Sequence, residues 1–358
     1  MKQKSVLLGI SGGVDSSVAA YLLKKQGYEV KAVFLKLFSD SKNKLTNECN
    51  WIEDYKSAQK ICAILNIPLI KLDYEDYYKN KVLKPMFESY KKGLTPNQDI
   101  LCNSLVKFPF LLKEAKKLKC DFIATGHHAQ IKKNKEGFSL IQGIDKEKDQ
   151  SYFLADLNQY TLSKTLFPIG KLTKKKVREI AKKISLPNWN RDSTEGICFV
   201  GKMNMQSFLK QKINEKPGPI ILENKQIIGT HKGIPFYTIG QKLTDSNTIN
   251  LEKGILSKTR LYVAKKQGNT IISTEIDSPL LKTQSVKIKS IHLINPKNKL
   301  PSNLKARIRS LGIMHSGKLI KNKSHYAFKF NKPIHALAPG QYIVLYKNQE
   351  LIASGVMF

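Results

Sequence analysis

The stretch SVLLGISGGVDSSVAAYLLKK, Ser5–Lys25, decides how this chain begins to fold. It opens with an apolar run, passes through Gly9, Gly12 and Gly13 among serines, and continues with small and apolar residues at helical spacing. A strand, a tight turn and a helix are expected in that order. Gly12 and Gly13 let the backbone turn so that successive amide N–H groups point at an anion, and Ser11, Ser16 and Ser17 add hydroxyl donors. The helix starting near Val14 presents its positive end to the same place. Phosphate binding follows. A junction with glycines for packing alone is the bland alternative, and the polar side chains sharing the turn weigh against it. No lysine follows the glycines as it does in a Walker loop; Asp15 stands there, suited to holding Mg2+ on phosphate oxygens.

Working outward, YEVKAVFLKL, a helical pattern from Glu53 to Leu65, PLIKLDY and CDFIATGH alternate strand-like and helix-like segments. Such alternation predicts an α/β unit with a doubly wound parallel sheet and ligands at the carboxyl ends of its strands. Tyr152 to Lys183 reads as helical, with FPIGKLTKKKVREIAKKI a turn followed by an amphipathic helix. Beyond about Met203 the pattern changes to short β runs broken by Gly, Pro and Asn, which predicts two small, mainly β domains, the last a β-barrel. The expected divisions are 1–203, 204–278 and 279–358.

The 358 residues carry a formal net charge of +33, which invites a polyanionic partner. Of 61 basic residues, however, 56 are lysine and 5 arginine, a bias that compositional drift also produces. Nucleic acid is therefore permitted and moderately favoured. Arg307 and Arg309 are more informative, because they share a face if KARIRS is a strand. No apolar run is long enough to cross a membrane or to act as an export signal, so a cytoplasmic protein is expected. Five cysteines, none spaced C-x-x-C, argue against a disulfide framework or a structural zinc site. Cys62 and Cys120 read as small core residues. Cys102 and Cys198 sit in polar, loop-like surroundings, TPNQDILCN and STEGICFVG, where even odds of a chemical role are as far as the residues lead; Cys49 has no assigned role.

SGGVDSS resembles the signature of the ATP pyrophosphatases, or PP-loop enzymes, which cleave ATP between its α- and β-phosphates. The loop would then cradle the departing pyrophosphate. That superfamily includes amide-forming synthetases, but only four residues precede the first expected strand, so no amidotransferase domain is expected there. TPNQDILCN and GICFVG, with ATGHHA, KDQSYFL, FPIGKLTKKKVREIA, GTHKGIPFYTIGQK and APGQYIVLY in that order, resemble the tRNA-specific 2-thiouridylases over nearly the whole chain.

That resemblance implies the following roles. ATP, with Mg2+ held by Asp15 through the phosphates, would be bound by Gly9, Ile10, Ser11, Gly12, Gly13, Val14, Asp15 and Ser16, with Leu35 and Gly126 at the adenosine. Asn97, Gln98 and Asp99 would face the target base, Asp99 at the uridine N3–H. Cys198 would carry a persulfide and Cys102 would be the second thiol, the two ending as a disulfide. His127, Lys148, Asp149, Gln150, Arg309, Ser310 and Gln341 would touch tRNA. The sulfur would come from a cysteine desulfurase or a sulfur-relay protein. The chain departs from the family pattern at Gln98, where proline is usual, at KLTDSNTIN, and at Ser310, where a tyrosine is usual. A PP-loop ligase for a small carboxylate would leave both thiols unexplained. An RNA-binding protein that had lost catalysis would not be expected to keep SGGVDSS together with the two cysteines.

Overall fold

The computed structural model describes residues 3–39, 50–192, 204–252, 254–255 and 259–358. The opening strand β1 (Ser5–Gly9) leads through the glycine turn into α1 (Val14–Lys25), and β2 (Glu29–Lys36), α2 (Asn50–Ile64) and β3 (Leu69–Asp73) follow. With β4 (Phe122–Thr125), these strands make the greater part of a parallel sheet in which β1 lies in the middle. Leu8 pairs with Ala32 of β2 on one side and with Ala124 of β4 on the other. Alternation divides β1 between two cores: Val6 and Leu8 pack with Val18, Ile61 and Val177, while Leu7 packs with Leu111 and Ala115. All three strand residues are fully buried, at about 1.5–3 kcal/mol each. Helices therefore cover both faces, the doubly wound arrangement that the alternation predicts.

Between β3 and β4 the chain is largely helical, with two widened π turns at Lys79–Leu83 and Cys102–Lys107. Each lies just upstream of a proline near the start of the next helical segment, Pro85 and Pro109. Proline lacks the N–H that would close an ordinary helical turn and crowds the carbonyl four residues back, and a widened turn accommodates both.

After β4 comes a hairpin of β5 (Ala129–Asn134) and β6 (Gly137–Gln142), and then β7 (Thr165–Leu166), a two-residue edge strand that completes the parallel sheet in the order β3-β2-β1-β4-β7. The middle of the chain forms a second sheet from β8 (Gly218–Ile221), β9 (Ile227–His231), β10 (Thr248–Ile249), β11 (Tyr262–Gln267) and β12 (Thr270–Thr274). The last part contains β13 (Lys282–Ile288), β14 (His292–Leu293), β15 (Asn303–Arg307), β16 (His315–Lys321), β17 (Tyr326–His335), β18 (Tyr342–Lys347) and β19 (Glu350–Val356). A bridge from Ile288 to Met357 brings the end of β13 against the chain beyond β19, curling this sheet into a barrel. The β5–β6 hairpin adds to the barrel's β19 through Leu351 and Leu140, so a segment of the first unit extends the last sheet.

Buried polar groups lock the same junction. Asp149, 1% exposed, accepts from Arg307 Nη1 at 2.7 Å, from the Gly143 and Ser151 amides at 3.0 and 3.1 Å, and from Gln142 Nε2 at 3.0 Å. Tyr342 donates to Asp156 at 2.7 Å, and Ser354 donates to the other oxygen of that carboxylate. Arg307→Met should leave the Asp149 carboxylate without its counter-charge in the interior, costing about 3 kcal/mol. Urea unfolding of the two proteins measures it; equal midpoints would mean that the pair contributes nothing net.

Candidate active site

The turn after β1 is fixed from behind. Gly12 adopts φ +77°, and a side chain there would lie 2.2 Å from the Asp54 carbonyl oxygen, so only glycine fits between the turn and α2. Its own carbonyl accepts from Ser57 Oγ at 2.8 Å, Asn188 Nδ2 at 2.9 Å and Arg191 Nη1 at 3.3 Å, and Asp54 holds Arg191 at 2.6 Å. Gly13, the N-cap of α1, is open on its far side among the described residues, of which only Ser11 Oγ lies near, 3.5 Å from the place of a side chain. Ser16 and Ser17 donate to the Gly13 carbonyl, and Ser16 Oγ accepts the Ser11 amide. The N–H groups of the first turn of α1 have no acceptor inside the helix. Among the described residues the turn is braced from behind and open in front, an arrangement chemically suited to an anion.

Asp15, in that first turn, is held by two residues from outside the motif. Lys174 Nζ lies 2.6 Å from Oδ2, and His128 Nε2 lies 3.3 Å from Oδ1. Burial alone would raise the Asp15 pKa, but the His128 hydrogen bond and the Lys174 charge outweigh it and hold the carboxyl below its ordinary value. The loop that lacks a lysine in sequence therefore gains one in space, from the start of the Lys174–Lys183 helix. Sequence reading passed over Lys174 because its segment looked like one more lysine-rich amphipathic helix, and His128 because it followed His127. His128 is 2% exposed and its Nδ1 has no partner among the described residues, a donor or acceptor kept in reserve beside the loop. The described residues contain no cluster of three or more His, Cys, Asp or Glu able to hold a metal alone. Asp15 suits a divalent ion that arrives already bound to phosphate.

Gly126, at the end of β4, is required by packing: a side chain there would sit 2.6 Å from the Ser16 amide nitrogen. The lack of a side chain at Gly126 thus lets the start of α1 pack directly against the end of β4. Leu35 is 6% exposed in the core that contains Leu7, and it pairs with Leu72 in the sheet, which leaves its backbone as the part able to meet a nucleotide.

Asn97 accepts the Ile100 amide at 3.1 Å and so starts a helix at Gln98, with Asp99 in its first turn. All three are half-buried. This cap has a consequence that the sequence reading missed: Cys102 lies inside the helical run, fully buried in the core with Ile100 and Val106, and not in a polar loop. Cys198 and Cys49 fall outside the described residues. Burial pushes the Cys62 thiol up to about 11 and raises that of Cys120, as suits small core residues with little thiolate at neutral pH.

The TPNQD segment is where the three parts of the chain meet. The Thr95 amide donates to the Pro339 carbonyl at 2.8 Å, and Thr95 Oγ1 lies 3.3 Å from Thr238 Oγ1 of the middle sheet region. Gly340 is pressed against the Thr95 amide, which brings the turn carrying Gln341 beside the residues expected to face the base.

The residues expected at RNA separate into inner and outer sets. Lys148 and Arg309 are exposed, and Gln150, Ser310 and Gln341 are half-buried. Asp149 is interior, its carboxylate committed to Arg307, so a direct phosphate contact is not available to it. Gln150 exchanges hydrogen bonds with the His128 backbone, both 2.9 Å, and so positions His128. His127 lies against Phe108, with ring centroids 6.0 Å apart and Nδ1 2.7 Å from Thr125 Oγ1. Burial, with the Lys107 charge, holds its pKa well below the ordinary value, so the ring is neutral. Arg307 and Arg309 do not share a face as expected: β15 ends at Arg307, which is buried, while Arg309 is exposed and opens a turn in which its carbonyl accepts the Gly312 amide. Arg309→Ala should weaken tRNA binding by about 1–3 kcal/mol if the guanidinium meets a phosphate. Log affinity should fall linearly with log salt, more shallowly in the variant by roughly one unit. Identical slopes would remove Arg309 from the interface.

Three family models match the chain in succession: "tRNA methyl transferase HUP domain" over 4–202, "tRNA methyl transferase PRC-barrel domain" over 206–272, and "Aminomethyltransferase beta-barrel domain" over 283–357. Among curated proteins, the chain is 41% identical to the tRNA-specific 2-thiouridylase MnmA of Malacoplasma penetrans, covering 98% of each. It is 39% identical to the protein of the same name from Karelsulcia muelleri, covering 100% of this chain and 99% of that one. Against tRNA-specific 2-thiouridylase MnmA 1 of Geobacillus kaustophilus the figures are 36%, 100% and 96%.

Proposed function

The chain belongs to the tRNA-specific 2-thiouridylase family, and on that premise we propose that it replaces the C2 oxygen of a tRNA wobble uridine with sulfur, splitting ATP to AMP and pyrophosphate. The observation that carries the reading is the open cradle at Gly13, with Asp15 held between Lys174 and His128 at the carboxyl ends of β1 and β4. Oxide is a hopeless leaving group from C2, so the oxygen must first be activated. Uridine O2 bonds to the α-phosphorus, the bond from that phosphorus to the α,β-bridging oxygen breaks with its electron pair passing to pyrophosphate, and the N3 proton leaves to a base. A persulfide sulfur then bonds to C2, AMP departs with the former carbonyl oxygen, and a second thiol breaks the S–S bond to leave a disulfide.

In this assignment Ser11, Gly12, Gly13 and Ser16 cradle the departing pyrophosphate, and Asp15 serves Mg2+, which when bound neutralises phosphate charge. The backbones at Gly9, Ile10, Val14, Leu35 and Gly126 border the nucleotide. Asp99 is the group at N3–H, with Asn97 and Gln98 beside it, and Cys198 and Cys102 are the persulfide carrier and the second thiol. Residues 1–203 hold the chemistry, and 204–278 and 279–358 are two β domains that brace the base-facing segment. The tRNA lies across His127, Lys148, Gln150, Arg309, Ser310 and Gln341. A cysteine desulfurase or relay protein supplies the sulfur. Among the described residues no helix is long and apolar enough to cross a membrane, and action on tRNA fits the cytoplasm.

The wording of the family models favours a second reading, methyl transfer to tRNA. It predicts a methylated nucleoside and no cleavage of ATP. Mass analysis of nucleosides from tRNA incubated with the protein, ATP, Mg2+ and a desulfurase with cysteine separates the two: 2-thiouridine supports the proposal, and methylated uridine overturns it.

A further inference from the structure

The cradle supplies partial charges and hydroxyls, yet the one full charge in its first helical turn, Asp15, is negative. A nucleotide triphosphate, even with one Mg2+, brings net negative charge to this point. Arg191 also reaches the turn, but its guanidinium is spent behind it on Asp54 and the Gly12 carbonyl. Lys174 is placed differently. Its amide donates to Asp145 Oδ2 at 2.8 Å, and the Thr173 hydroxyl caps the helix by accepting the Lys176 amide, so the root of the side chain is fixed. Val177 and Ala181 seat the same helix in the core that contains Val14 and Val18 of α1. The side chain is 11% exposed, and its ammonium ends on Asp15 at the mouth of the cradle. Its root is thus held rigidly while its tip rests on a carboxylate that Mg2+ would engage.

We propose that Lys174 is the cation that binds the pyrophosphate group of ATP and neutralises it as it departs, with Asp15 and His128 keeping the ammonium at the cradle until nucleotide arrives. The inference rests on the ATP-cleaving reading above. Lys174 supplies no proton in the balance: the α-phosphorus to bridging-oxygen bond breaks, the electron pair stays on pyrophosphate, and the ammonium pairs with that charge.

The test is calorimetric binding of Mg-pyrophosphate and, separately, of AMP to the full chain and to two variants. Lys174→Gln still hydrogen-bonds Asp15 but carries no charge, and Lys174→Arg keeps the charge on a different head. The expected result is pyrophosphate affinity about 10- to 100-fold weaker in the glutamine variant, the range for losing a charged hydrogen bond, with AMP affinity unchanged and the arginine variant recovering part of the loss. Turnover of tRNA-dependent pyrophosphate release should fall in the glutamine variant more than KM for ATP rises. Unchanged pyrophosphate affinity in Lys174→Gln overturns the inference, as does an equal loss of AMP and pyrophosphate binding, which would mark a purely structural ion pair. ADP and phosphate as products of the wild-type enzyme would instead sink the underlying reading.

Discussion

Cys198→Ser protein, given tRNA, ATP, Mg2+ and a sulfur source, is expected to release pyrophosphate at close to the wild-type rate while transferring no sulfur, a loss of at least about 10^4-fold by analogy with removal of a catalytic nucleophile. The dissociation follows from the order of events, since adenylation of O2 precedes attack by sulfur. Cys102→Ser should behave otherwise: Cys198 still loads as a persulfide, but turnover falls because nothing resolves the S–S bond. Wild-type enzyme after one cycle without reductant should hold a Cys102–Cys198 disulfide, which needs Cα atoms within about 7 Å. Cys102 is fully buried inside a helical run and Cys198 lies outside the described residues, so the linkage formed after turnover is what establishes that the two thiols meet. Peptide mapping of the non-reduced protein reads this directly. A link to Cys49, Cys62 or Cys120, or full transfer by Cys198→Ser, would overturn the assignment of the two thiols.

Asp15→Asn is expected to lower tRNA-dependent pyrophosphate release by about 10^2–10^3-fold, the scale of losing one preorganised electrostatic group from a reaction centre. The amide cannot neutralise Mg2+, and it leaves the largely buried Lys174 without its counter-charge. A stability signature accompanies the kinetic one. Asp15 is held below its ordinary value of 3.8, so the folded protein binds that proton less readily than the unfolded chain does. Its contribution is complete above about pH 4 and is lost as the pH falls through the lowered folded value. The asparagine variant should lack that part of the acid limb in denaturation followed between neutrality and pH 2. A variant with wild-type adenylation would remove Asp15 from the chemistry.

The sheet was legible in the sequence because β1 and its neighbours are short apolar runs whose alternate residues serve two cores, and because Gly12 and Gly13 interrupt the pattern where strand becomes helix. The same local reading could not place Lys174: its nearness to Asp15 depends on how one helix docks on another, and one lysine among 56 carries no mark of its own. Cys102 was misjudged for a related reason. Its polar neighbours suggested a loop, but the Asn97 cap starts a helix and the widened turn ahead of Pro109 keeps it going, so the polar residues lie on a helix whose other side is core. Arg307 and Arg309 were separated by a strand end that two-residue alternation does not reveal. The Asp149–Arg307 pair escaped notice because its partners lie in segments expected to belong to different domains.

In the proposed reaction ATP is cleaved at the α-phosphate so that uridine O2 can leave as part of AMP. The measurement closest to it uses tRNA carrying 18O at the uridine carbonyl oxygens, incubated with the enzyme, ATP, Mg2+ and a desulfurase with cysteine, followed by mass analysis of nucleotides and nucleosides together. One 18O is expected in the AMP for each 2-thiouridine formed, with pyrophosphate unlabelled. Label appearing in water or phosphate with AMP unlabelled, or ATP converted to ADP, would contradict it.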